Sequence, residues 1–183
     1  MLDVQALSRL LPACLALLPA AASAEDASPF GPREFAIDEI ASDLAYGFCP
    51  LFLAGQFGLD APELAERGFG TDVQTAPDER FGDISMVTAT RADGRVAFGG
   101  AKGKACVVVI DGPQREAALT ALRERMEWTG LAFAPVDAQA PAIPGATIET
   151  FKAPVEDQFV YLQLNQIGTA NPLVSAIMYA QDH

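Results

Sequence analysis

Histidine, cysteine and paired carboxylates carry most side-chain chemistry in proteins, and this chain is poor in the first. Its one histidine is His183, the last residue. From there no Ser-His or Cys-His pair can be built within a fold, nor a zinc site of ordinary ligand count. Gly-x-Ser-x-Gly and Ser-x-x-Lys are absent. Phe98-Gly-Gly-Ala-Lys-Gly-Lys-Ala105 looks like a phosphate loop, but Phe98 stands where the first Gly belongs and Ala105 where Ser or Thr belongs. A strand follows it where a helix is needed, so it reads as a Gly-rich turn with two solvated lysines. Asp60-Glu63-Glu66 and Asp78-Glu79-Asp83 lack the alternating acids, central Gly and distal Glu of a calcium loop. No metal ligand set, cofactor motif or catalytic group is expected from these patterns.

The cysteines say more. Residues 1–24 have the form of a secretory signal peptide: Arg9 near the start, an apolar run from Leu10 to Ala22, and Ala22-Ser23-Ala24 as the cleavage site. The run is too short to span a membrane. Removing it removes Cys14 and leaves Cys49 and Cys106 in an oxidising compartment, where an even pair joins. There is no Cys-x-x-Cys, and Cys106 lies in the most apolar stretch of the chain, so the bridge reads as structural. The expected product is one domain, residues 25–183, in the periplasm or secreted. Lys and Arg total 12 against 24 Asp and Glu, a net charge of −12. That balance repels phosphate backbones and anionic lipid heads, which argues against nucleic acid and membrane surfaces as partners.

Two groups of side chains are candidate binding elements. Phe48 and Phe52 flank Cys49, while Phe159 and Tyr161 share one face of a late strand. They are core residues or the lining of an apolar cleft between sheet and helices. Leu173 to Ala180 has no Lys or Pro to blunt pairing, so Leu173, Ser175, Ile177 and Tyr179 mark a candidate edge strand, open to strand addition or dimerisation.

The elements that must position these residues follow from periodicity. Ile37, Ile40, Leu44 and Phe48 predict a helix over 34–48, interrupted at Cys49-Pro50. Asp60-Ala-Pro-Glu63 and Asp111-Gly-Pro-Gln114 read as capping boxes, the first opening a short helix that stops at Gly68, the second a helix reaching Trp128 with Gly130 just beyond its end. Their similarity hints at an internal duplication. A polar connection is predicted over 70–80. Strands are predicted over 82–91 and 95–100, joined by Asp93-Gly94, and over 106–110, which is apolar on both faces and therefore buried. These three form an antiparallel meander. Residues 131–133 read as a short extended piece and 135–145 as a loop; three further strands are predicted over 146–153, 158–167 and 173–180. Helices alternate with runs of strands, so the fold class is α+β.

A Phe- and Cys-bearing first helix, a Gly-rich hairpin, and Cys106-Val-Val-Val109 running into a helix resemble uncharacterised small exported proteins of alphaproteobacteria over roughly residues 35–128. The resemblance implies no activity for any residue here. The function expected from the sequence is an exported, non-enzymatic binding or accessory module acting on a protein partner or on its own copy. Two alternatives stand beside it: a carrier of small apolar ligands using a sheet–helix cleft, and a carboxylate-only enzyme acting on cell wall, which needs two acids facing across a groove.

Overall fold

The computed structural model describes residues 35–137, 145–168 and 171–182. The expected signal peptide, Cys14 and His183 lie outside them. The architecture of the described residues is α+β: one antiparallel sheet of eight strands with helices on one face. The strands are β1 (Gln74–Asp78), β2 (Gly82–Arg91), β3 (Gly94–Ala101), β4 (Ala105–Asp111), β5 (Ala134–Val136), β6 (Ala146–Val155), β7 (Gln158–Ile167) and β8 (Leu173–Asp182). Their order across the sheet is β1-β2-β3-β4-β8-β7-β6-β5. Each half is thus a run of four consecutive strands, and the halves meet where β4 pairs with β8. Val108 lies opposite Ala176, at the centre of both the β4 segment and its paired stretch of β8. The connectivity on either side of that pair is the same, as an approximate two-fold axis through it would give.

The helices are α1 (Ile37–Ser42), α2 (Cys49–Leu53), α3 (Pro62–Glu66) and α4 (Arg115–Glu124). Alternation along the strands sends one set of residues toward them. Val87, Val96, Phe98, Val108, Ile110, Leu162, Leu164, Val174 and Met178 are buried there against Ile37, Ile40, Leu44, Phe52, Leu64, Leu119 and Leu122. Phe98 is at the centre, edge-on to Phe52 and Phe57 at 5.7 and 5.9 Å. The Cys49–Cys106 disulfide forms as expected, tying α2 to β4. A bridge over 57 positions contributes about 4 kcal/mol through the loop entropy it removes from the unfolded chain.

Several local expectations are corrected. The helix does not break at Pro50. A π-helical turn, Asp43–Phe48, joins α1 directly to α2, and the Cys49 N–H donates to the Leu44 carbonyl, one residue further back than in an α-helix. The wider turn gives the proline ring room that an α-helical carbonyl would occupy. Neither capping box closes. The residues entering α3 and α4 are Ala61 and Gln114, without side-chain caps, and Asp111 binds Arg95 instead, its Oδ2 accepting from Nε at 2.8 Å. An ionised partner across the sheet outcompetes local backbone amides for this carboxylate. The α4 helix ends at Glu124, and a 3-10 turn, Met126–Thr129, carries the chain to Gly130 in the left-handed conformation. The polar connection predicted over 70–80 contains β1, and the extended segment expected at 131–133 falls later, as β5, overlapping the start of the loop expected over 135–145.

The largest correction concerns β8. It is not an edge strand: it sits between β4 and β7, hydrogen-bonded on both sides. Its lack of Lys and Pro reflects a central position. The edges are β1 and β5, both short, with Pro77 and Pro135 inside them. Proline lacks the N–H a further strand would need, so both edges are poor templates for strand addition.

Tyr46, buried in the π-helical turn, donates its hydroxyl hydrogen to the Leu122 carbonyl of α4. Burial pushes its pKa well above the usual phenol value. In the turn between β2 and β3, burial of Asp93 opposes ionisation, but the hydrogen bond and charge of Arg91 outweigh it and hold the carboxyl below its ordinary range.

Candidate functional site

The register places a second set of side chains on the helix-free face. Lys152 lies opposite Tyr161 and Tyr161 opposite Tyr179, which in turn faces Ala105. One register step along are Thr150, Gln163 and Ile177, then Val107. Directly opposed residues on one face have adjacent side chains, and the two tyrosine rings stack at 5.2 Å with 5° between their planes. Phe159 meets Tyr161 edge-on at 6.4 Å.

The β1–β2 turn closes over this row. Asp78 Oδ1 accepts the backbone N–H groups of Arg80 and Phe81, each at 2.9 Å, and Gly82 takes the positive φ of 85° that ends the turn. The turn brings Phe81 to 5.6 Å from Tyr179 and lays the Arg80 guanidinium 4.1 Å above the Tyr179 ring. Lys152 stands 4.7 Å over Phe159. Below Arg80 is a groove of about 520 Å³ lined by Arg80, Thr150, Tyr161, Gln163, Tyr179 and Gln181, with Val136 and Asp137 at the β5 side. A smaller groove of about 370 Å³ lies in the other half of the same face, over Ile84, Met86, Thr88, Ala97 and Val109, with the Arg95–Asp111 ion pair at its end.

The four aromatics proposed as one cleft are therefore divided between two faces. Phe48 stacks on Phe57 at 4.6 Å under the Arg67 guanidinium, and Phe52 is buried on Phe98, both on the helix side. Phe159 and Tyr161 point the other way. No common cleft contains all four. Leu173, Ser175, Ile177 and Tyr179 also face the helix-free side, and Tyr179 joins the larger groove. The sequence reading missed Arg80, Thr150, Gln163 and Gln181. Asp78-x-x-x-Gly82 was the available signal, a turn sequence that runs from the predicted polar connection into the start of the predicted 82–91 strand.

Among the described residues no three His, Cys, Asp or Glu side chains gather as a metal site, and no helix is long and apolar enough to cross a membrane. The larger groove has one carboxylate in its lining, Asp137, and the smaller has Asp111, held by Arg95. Neither presents two acids to one another. The polar groups of the larger groove can donate to, accept from and stack on a ligand. Comparisons with protein-family models, with curated proteins and with solved structures return no match.

Proposed function

We propose that this protein is an exported, non-enzymatic binding module that holds its ligand on the helix-free face of the sheet. One observation carries the reading: among the described residues helices cover a single face, and the other bears a ligand-sized groove with aromatic walls and polar groups converging on it. The reading moves the binding surface away from the sheet–helix cleft, which is filled by core side chains, and away from strand addition, because both edges carry proline. Glycan hydrolysis has no support here, since neither groove pairs two carboxylates across a sugar-sized gap. The buried disulfide suits an oxidising compartment, in keeping with the signal peptide read from residues 1–24.

Native mass spectrometry of the protein purified from the cells that encode it, beside an Ile177→Asp variant, tests the proposal. Ile177 lies on the same face, directly opposite Gln163. An extra mass carried by the natural protein and lost from the variant is the expected result. A bare natural protein, or an adduct that survives the substitution, overturns it. A dimer lost on substitution would assign the face to a second copy instead.

A further inference from the structure

The ion pairs of this acidic chain are distributed unevenly. Arg67, Arg91, Arg95, Arg115, Arg123 and Arg125 each hold a carboxylate, at 2.5 to 3.5 Å. Arg80, Lys102, Lys104 and Lys152 hold none among the described residues. These four come from three separate segments, yet the register brings them to one end of the sheet. Ser85 lies opposite Gly100, which puts the β1–β2 and β3–β4 turns at the same end, and Lys152 aligns with Tyr161, Tyr179 and Ala105 beside them. Acids are close in sequence, Glu79 and Asp83 at the first turn and Glu156 and Asp157 at the β6–β7 turn, but none of them forms an ion pair with these cations. Asp78 is committed to the backbone of its own turn.

Arg80 differs from Lys102 and Lys104 in being held against aromatic rings, as Lys152 is held against Phe159, and it alone of the four lines the groove. Its guanidinium lies 4.1 Å over Tyr179 and 4.9 Å from the Phe81 ring. Stacking uses the face of the guanidinium and leaves its N–H edge available, and that edge has no acceptor among the described residues. The polar side chains around it, Thr150, Tyr161, Gln163, Tyr179 and Gln181, likewise make no side-chain hydrogen bond among the described residues. A groove with a fixed fork of donors, stacked ring walls and unspent amides is organised before the ligand arrives, which reduces the entropy cost of binding.

Resting on the reading of this groove as the binding site, we infer that its ligand is a small organic monocarboxylate and that Arg80 is the anchor. A carboxylate matches the guanidinium fork with two parallel hydrogen bonds. The volume of about 520 Å³ admits a body of one or two rings' size beside Tyr161. Asp137 in the lining disfavours a second negative charge, which sets a monocarboxylate apart from phosphate and polyanions.

The test is an NMR titration of the full chain, followed at backbone amides, with benzoate, its neutral isostere benzamide, and inorganic phosphate. Benzoate should give saturable shifts at Tyr161, Gln163, Tyr179 and Gln181, and benzamide and phosphate should bind at least about tenfold more weakly. Arg80→Gln should weaken benzoate by about tenfold or more without changing benzamide, with Arg80→Lys in between because a point charge replaces the fork. Arg80 is exposed, so neither variant disturbs the core. Benzoate and benzamide binding alike in the groove, phosphate matching benzoate, Arg80→Gln behaving as the natural protein, or shifts centred on Lys102 and Lys104 would each overturn the carboxylate assignment while leaving the groove a binding site. No groove shifts with any probe would overturn the assignment, and only an equally bare protein in the mass spectrum would remove the binding module with it.

Discussion

Across the helix-free face, Arg95 of β3 meets Asp111 of β4 in one half of the sheet, while in the other half Arg80 reaches over β8 and meets a tyrosine ring. The halves have the same connectivity about the Val108–Ala176 pair. They have been put to different uses. The β1–β4 half is fastened by the disulfide and by the aromatic cluster at Phe98, and its exposed arginine is already neutralised. The β5–β8 half carries the aromatic row and draws in an arginine that holds no acid among the described residues. The covalent tie and the aromatic cluster lie in one half and unspent binding capacity in the other, so the repeat of architecture does not extend to chemistry.

Four experiments would break or sharpen that contrast. The largest effect is expected from Cys49→Ala with Cys106→Ala, which should lower the unfolding free energy by about 4 kcal/mol in a urea titration. A loss well under half of that would mean the first half is not held chiefly by its bridge. Next is the link between the helices of the two halves, Tyr46 to Leu122. Because burial raises the Tyr46 pKa above its unfolded value, its contribution is present below about pH 10 and is lost as the pH climbs beyond it. Between about pH 9 and about pH 11 the protein should lose on the order of 1 kcal/mol more than a Tyr46→Phe variant does. Parallel curves for the two would remove Tyr46 from the account.

Smaller effects follow on the open face. Arg95→Gln should cost under about 1 kcal/mol, since the pair is solvent-screened and the arginine side chain is 61% exposed. Benzoate binding should be unchanged. Asp111→Asn should release Arg95 and produce a weak second set of benzoate shifts at Thr88, Ala97 and Val109. If it does not, the shape of the smaller groove and not its saturated charge separates the halves.

The parts of this architecture that were legible in the sequence are those set by short-range pattern. The Cys49–Cys106 bridge, the Asp93-Gly94 hairpin, the alternating strands and the α+β class follow from spacing and turn chemistry. β1 was hidden because Gln74-Thr-Ala-Pro-Asp78 has no apolar face and a proline, which suits an edge and gives no strand signal. The central place of β8 was misread because an unguarded strand looks the same whether it is exposed or covered on both sides. Asp111 could not be separated from a helix cap until Arg95 was seen across the ladder. The groove was least legible, because Arg80 and Tyr179 are joined only by the curl of a turn over strands that are distant in the chain.

Both cysteines of the bridge are synthesised before any residue of α4 or of β5 to β8. The covalent closure therefore needs only the first meander, and β4 can be pinned to α2 while one of its sides still lacks a partner. The strand that completes that side is β8, after the whole of the second meander. Until it docks, a partly made molecule leaves one side of the apolar β4 without a strand partner, an edge open to wrong pairing.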